Sequence, residues 1–261
     1  VILLIVGNIL NIVLDLWLVM GLHMNVQGAA LATVIAEYAT LLIGLMMVRK
    51  VLHMRGISLA MLKQAWRGNF RRLLALNRDI MLRSLLLQLC FGAITVLGAR
   101  LGGDIIAVNA VLMTLLTFTA YALDGFAYAV EAHSGQAYGA RDGSQLLDVW
   151  RAACRQSGIV AILFSLVYAL FGEQIVALLT SLPQIQLLAD RYLFWQVVLP
   201  LVGVWCYLLD GMFIGATRAA EMRNSMAVAA TGFALTLLTL PWLGNHGLWL
   251  ALTVFLALRG L

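Results

Sequence analysis

The chain has 261 residues, 63% hydrophobic and 11% charged, with a mean hydropathy of +0.96. A soluble domain is about half apolar and about a quarter charged, so this composition excludes a water-soluble protein. The formal net charge of +5 then reads as a membrane-topology signal rather than a nucleic-acid footprint.

A helix needs roughly 20 mostly apolar residues to cross a bilayer. Eight such stretches follow one another, at about 1–22, 27–48, 79–100, 105–131, 156–180, 192–214, 224–243 and 246–259. The fold class expected is therefore all-α: a polytopic helical bundle of about eight transmembrane helices. The first span carries Asn8, Asn11 and Asp15 at helical spacing, and the second holds Glu37 near its middle. A basic connection follows at 49–78. Leu59, Leu62, Trp66 and Leu73 give it an apolar face, as in a helix lying on an anionic inner leaflet. The third span carries Ser84, Gln88 and Thr95. The fourth carries Thr117, Tyr121, Asp124, Tyr128 and Glu131 at steps of four, three, four and three, which is one helical face. The sixth carries Tyr207, Asp210 and Thr217, with a kink expected at Pro200.

Fifteen of the 17 Lys and Arg residues fall on one side of this arrangement, in 49–83, 134–156, 215–223 and Arg259; only Arg100 and Arg191 fall on the other. That bias places loops 49–78, 141–155 and 215–223 in the cytoplasm, and 101–104 and 241–247 outside, with Asn245 accessible there. Cys90 and Cys206 lie in apolar runs and Cys154 in a basic one, so no disulfide framework is visible. The segments "VQGAALAT" (26–33) and "NHGLWLAL" (245–252) both open a span after an outer turn. They pair spans one and two with seven and eight. This parallel repeat implies two six-helix halves, with four helices of the first half lying before Val1. The expected domains are 1–48 (two helices of the first lobe), 49–78 (linker) and 79–261 (second six-helix lobe).

A central Asp costs about 2.5–3.5 kcal/mol on insertion scales. Asp124 and Asp210 lie well inside their spans, each followed by Gly, in "ALDG" and "LLDG". They are the first candidates for a functional pair. Polar Ser, Thr and Asn faces also serve as interhelical glue, and Asp15 and Glu131 can be solvated helix ends. No His-Glu-x-x-His or Gly-x-Ser-x-Gly pattern supports an enzyme.

"ARLGGDIIAVNAVL" (99–112), "GQAYGARD" (135–142) and "LDGMFIGATRAAEMRNSM" (209–226) resemble the multidrug and toxic compound extrusion (MATE) transporters. "NIVLDLWLVMGLHMNVQGAALATVIA" (11–36) is similar to that family's fifth and sixth helices, and the whole resembles the DinF branch. The resemblance implies a twelve-helix, two-lobe transporter, with alternating access at a cavity between the lobes. It implies export of drugs or other toxic amphipathic compounds across the cell inner membrane in exchange for a cation. By the resemblance, Asp210 stands where the family has a cation-linked carboxylate. Where sodium-coupled relatives carry an acid in the seventh helix, this chain has Leu87 or Gln88. The coupling ion expected is therefore the proton, with sodium the alternative; no other cofactor is expected. Asp210 and Asp124 are the coupling candidates, and Tyr128, Gln88, Glu131, Tyr207 and Glu37 the cavity candidates. Replacing Asp210 by Asn is expected to leave membrane insertion intact or ease it, and to lower proton-driven efflux sharply. The partners expected are the lipid bilayer and small-molecule substrates, with no nucleic acid, and the protein is expected to be monomeric. The alternative is a flippase of related fold for lipid-linked saccharides, which would need cavity-facing Arg or Lys for pyrophosphate. Arg83 and Arg100 are its only candidates, both read as helix-end residues.

Overall fold

The computed structural model describes residues 2–56 and 70–261. Its described residues form helices joined by short turns, with no strand among them, and divide into two compact units, Val1–Phe70 and Arg71–Leu261.

In the first unit, α1 (Ile2–Asp15) runs into a π-helical stretch at Leu16–Gly21, and α2 (Asn25–Met54) returns beside it. Gly28, Ala32 and Ala36 form the buried stripe of α2, at helical spacings of four. Small side chains there let the two backbones approach, which is how helices associate in lipid. A methyl group at Gly28 would lie 3.1 Å from the Leu18 backbone, and one at Gly7 would lie 2.5 Å from Thr40 Oγ1.

The second unit contains α3 (Phe70–Leu101), α4 (Gly103–Ala140), α5 (Gly143–Leu179), the short α6 (Pro183–Asp190), α7 (Leu193–Gly215), α8 (Ala219–Thr236) and α9 (Asn245–Arg259). A 3-10 turn and one further helical turn, Leu240–Leu243, join α8 to α9. Among the described residues, seven helical stretches are long and apolar enough to cross a membrane. α9, with 15 residues, falls below that length, yet it is the most buried helix of the unit: Leu248, Trp249, Leu252 and Phe255 are all enclosed. Leu163, Leu166 and Leu170 on α5 are largely exposed, as expected of a surface solvated by lipid.

The central pair is α4 and α7. Gly211 and Gly215 on α7 are four apart, and a methyl group on either would run into the backbone carbonyl of Ala127 or Glu131 on α4. The Gly of "LLDG" is thus there for close approach; Gly125, the Gly of "ALDG", has open space around it. α7 continues through Pro200, whose ring removes one helical hydrogen bond. Beside it Ser165 Oγ donates to the Val197 carbonyl at 2.7 Å.

The helices run beyond the apolar stretches. α2 continues to Met54 and α3 begins at Phe70, so both ends of the expected 49–78 linker are helical. Arg, Lys, Leu and Met are strong helix formers and continue a helix past the hydrocarbon edge. The rest of the expected amphipathic segment, residues 57–69, lies outside the described residues. Asn245 is also not an accessible turn residue. It is 4% exposed, and its amide exchanges hydrogen bonds of 2.8 and 2.9 Å with Asn109, which also accepts from Trp249 Nε1 at 3.0 Å. A polar pair at the start of α9 closes against α4, a partnership that sequence distance hides.

Candidate functional site

The second unit encloses a cavity of about 350 Å³ between α3, α4, α7 and α9. Its polar lining is Arg83, Asp124, Tyr128, Glu131, Tyr207, Asp210 and Arg259. Helical periodicity delivers the α4 group: Asp124, Tyr128 and Glu131 follow at four and three residues, on the face that also presents Leu116 and Ala120. On α7, Tyr207, Asp210 and Ile214 reach the same space.

Asp210 does not stand alone in oil. Its Oδ2 accepts from Arg83 Nη2 of α3 and from Arg259 Nη2 of α9. The three side chains are 20%, 15% and 6% exposed respectively. Arg259 also lies 5.5 Å above the centre of the Phe255 ring. The Nε atoms of both arginines are buried without a hydrogen-bond partner among the described residues. The ion cluster is therefore closed around Asp210 and left open at the arginines.

Asp124 is placed differently. It is half-buried and makes no hydrogen bond or ion pair among the described residues, although Arg83, Arg259 and Asp210 all act on it electrostatically. Glu131 lies about two turns further along α4 on the same lining.

Five of the seven residues singled out in the sequence meet in this cavity: Asp124, Asp210, Tyr128, Glu131 and Tyr207. Gln88 does not. It is exposed, and its neighbour Leu87 takes the lining position, because one residue rotates a helix surface by about 100°. Glu37 is exposed on α2 of the first unit. Thr117 and Tyr121, expected on the face of Asp124, are exposed and outside the lining, and Thr217 sits beyond the end of α7 with φ +57°.

Arg83 and Arg259 are what the sequence reading missed. Both were counted as cytoplasmic loop charges, yet Arg83 lies well inside α3 and Arg259 is 8% exposed at the end of α9. Removing them leaves 15 − 2 = 13 basic residues against two, so the topology signal survives. The signal that points to a partner is the carboxylate itself, since a buried charge needs one; which of the cations bordering the apolar runs supplies it is decided only by how the helices pack.

Elsewhere in the unit, Asp79 of α3 is buried against Arg223 of α8 at 2.6 Å and Arg78 at 3.1 Å. In the first unit Asp15 sits where α1 gives way to the π-helical stretch. Its Oδ1 is buried with no partner among the described residues, so it is not the solvated helix end that its position allowed. Single π-helical turns concentrate at functional sites.

Comparison with known proteins places this geometry. Residues 80–242 match the MatE family model. The chain is 91% identical over its whole length to DNA damage-inducible protein F of Escherichia coli K12, of which it covers 57%. It is 25% identical to Protein DETOXIFICATION 43 of Arabidopsis thaliana, over 98% of this chain and 48% of that one. The chain thus spans about half the length of these relatives. In fold it is similar to the Vibrio cholerae MATE transporter VcmN, in a crystal structure of a mutant, with a TM-score of 0.84 at 22% identity; 99% of this chain and 59% of that one are covered. A transporter from Pyrococcus furiosus, whose structure is described as showing a binding pocket of reverse polarity, gives a TM-score of 0.83 at 19% identity, with 99% and 59% covered. Members of this family are transporters and not enzymes. This multi-pass membrane chain belongs to the MATE family of transporters.

Proposed function

We propose that the protein containing this chain exports drugs or other toxic amphipathic compounds across the cytoplasmic membrane in exchange for protons. Asp124 is the carboxylate of this lobe that takes up and releases the proton. The observation that carries the reading is the contrast between two acids in one cavity. Asp210 is held between two guanidiniums, which occupy its carboxylate. Asp124 faces the cavity without a hydrogen bond among the described residues, so a proton or a cationic substrate can reach it. Tyr128 and Tyr207 supply aromatic faces that suit a lipophilic cation. This reverses the order of the two candidates: the ion pairs make Asp210 the fixed counter-charge. An Asp is carried over from the family at position 210, but its two arginines make it a different chemical object from a lone cation-binding acid.

The test is efflux of a fluorescent lipophilic cation from cells producing the full-length protein, at equal expression. Asp124→Asn removes the titrating charge and is expected to reduce proton-driven efflux by about tenfold or more, the scale of a lost proton-transfer group. Asp124→Glu is expected to retain part of it. Parental efflux by Asp124→Asn overturns the assignment.

One observation favours the second reading, a lipid-linked saccharide flippase: two guanidiniums, Arg83 and Arg259, do face the cavity. Against it, both are engaged by Asp210, and the lining holds three carboxylates to two cations. A pyrophosphate would meet no excess positive charge. A lipid-flipping assay on the same preparation separates the two readings.

A further inference from the structure

Asp210 and Arg259 line a second cavity as well. It has about 260 Å³, lies between α7, α8 and α9, and is bordered by Glu221, Ser225 and Met226. Glu221 in turn lines a third space of about 300 Å³ around the α7–α8 turn, with Asp79 and Tyr138. The Glu221 side chain is 42% exposed and pairs with Arg218. Each space far exceeds the roughly 10–15 Å³ needed by one water, and each has several polar groups to hold it. A series of spaces large and polar enough to hold water, joined at Glu221, therefore leads from the α7–α8 turn into the interior of the lobe. It meets the main cavity at one partition, the Arg259–Asp210 pair, with Arg83 bonded to the same carboxylate from the far side.

We infer that the Arg83–Asp210–Arg259 cluster is a charge seal, which keeps protons from leaking through the lobe between the turn and the main cavity. A fixed guanidinium in a narrow passage repels protons and cations. Here two of them are anchored on one carboxylate, so the barrier stays in place whatever occupies the main cavity. Asp124, Glu131 and Tyr128 of α4, Tyr207 of α7 and Leu87 of α3 lie on the main-cavity side; Glu221 and Ser225 of α8 lie on the other. An exchanger needs such insulation. When the main cavity opens to the opposite face, an unsealed lobe would pass protons without moving substrate. The inference rests on the alternating-access reading, but its readout is proton flow with no substrate present, which the export assay does not measure.

The experiment uses the full-length protein in liposomes loaded with a pH-sensitive dye, under an imposed pH gradient and without substrate. The parent holds the gradient. Arg83→Gln with Arg259→Gln removes both guanidiniums while keeping most of their bulk, and is expected to dissipate the gradient about tenfold faster. Arg83→Lys with Arg259→Lys keeps both positive charges beside Asp210, and is expected to hold the gradient. A tight double-glutamine protein overturns the seal. So does equal leakage from both pairs, since a generally loosened lobe then carries the protons. The approach to the seal is checked in protein with the partition intact: Ser225→Cys, in a background lacking Cys90, Cys154 and Cys206, is expected to react with a small hydrophilic thiol reagent. An unreactive Cys at 225 overturns the hydrated approach even where the double-glutamine protein cannot be produced. Normal sealing in a protein that fails to export the dye removes the export reading and leaves the seal standing.

Discussion

Asp210→Asn is the sharpest probe of the cavity, because the structure changes its expected outcome. An isolated acid in a membrane helix should insert more easily once neutralised. Here the carboxylate is the common acceptor of two arginines, and none of the three side chains is more than 20% exposed. Asn keeps the shape but offers one neutral carbonyl oxygen, so two guanidiniums lose their counter-charge together. Removing one partner of a buried ion pair typically costs about 3–5 kcal/mol. For a unit the size of residues 71–261, each kcal/mol lowers Tm by about 2–4 °C, so the loss corresponds to roughly 6–20 °C. The assay is the thermal stability of the full-length protein in detergent, read as loss of the monodisperse peak on size exclusion. The parent is compared with Asp210→Asn and with Asp210→Leu/Arg259→Met. The apolar pair should recover the part of the loss that belongs to Arg259, since a buried ion pair replaced by well-packed apolar groups is often neutral or better, while Arg83 still lacks its counter-charge. An Asp210→Asn protein within about 2 °C of the parent, less than the shift from one kcal/mol, refutes the reasoning. The arginines would then have to find other partners at no cost.

Gly211→Ala should destabilise the protein by about 1–3 kcal/mol, because its methyl group meets the Ala127 carbonyl on α4 and overpacks the closest helix contact. Gly125→Ala, with open space around it, should be neutral or slightly stabilising, and thermal stability measured side by side decides between these outcomes. Asp142 caps α5, accepting from the Ser144 and Gln145 backbone N–H groups at 3.0 Å, and these hydrogen bonds hold its carboxyl below the usual carboxylate range. Its contribution is therefore present above the ordinary carboxylate pKa and is lost as pH falls through the lowered one. The Tm difference between the parent and Asp142→Ala should be largest near neutrality and shrink on acidification; a difference that grows in acid contradicts the cap. For topology, Asp104→Cys in a cysteine-free background should be labelled from outside the cell and Gln145→Cys only after the membrane is opened. The opposite pattern inverts the orientation.

The class and the span positions were legible because hydropathy is a one-dimensional property: a helix that crosses lipid must be apolar for about 20 residues wherever it stands in the fold. The α4 lining was legible for a related reason. Asp124, Tyr128 and Glu131 share a face by backbone geometry alone, and the cavity finds them together. What failed needed a second helix. Whether Leu87 or Gln88 lines the cavity depends on how α3 is rotated against α4, and the apolar run "LLLQLC" carries no marker of that rotation. Arg83 and Arg259 were misread because the positive-inside rule assigns every cation near a span end to a loop. Asn245 was misread because a polar residue after Gly244 suggests a turn, while its partner Asn109 lies 136 residues away. The π-helical turn after Asp15 has no signature in composition at all.

Charge parity gives the proposed exchange its logic. The cavity holds two guanidiniums and three carboxylates, Asp124, Asp210 and Glu131, which leaves one negative charge uncompensated when all are ionised. Transfer of an uncompensated charge into a low-dielectric lobe is strongly disfavoured, so in the proposed cycle the empty cavity fills with one positive charge, brought either by a proton or by a monovalent cationic substrate. Both together would leave an excess of positive charge beside Arg83 and Arg259. Competition between proton and substrate then follows from the fixed charges, without a direct contact between the two. Arg83→Gln tests this directly, since it removes one guanidinium and leaves a deficit of two positive charges. With a further negative charge to neutralise, the full-length variant should bind a lipophilic cation with the proton still in place, so its apparent affinity for the cation should depend less on pH than the parent's. The measurement is equilibrium binding of a fluorescent lipophilic cation to purified full-length protein across the pH range in which the parent loses affinity. A pH dependence as steep as the parent's shows that competition arises at a single shared acid rather than from the charge balance of the cavity.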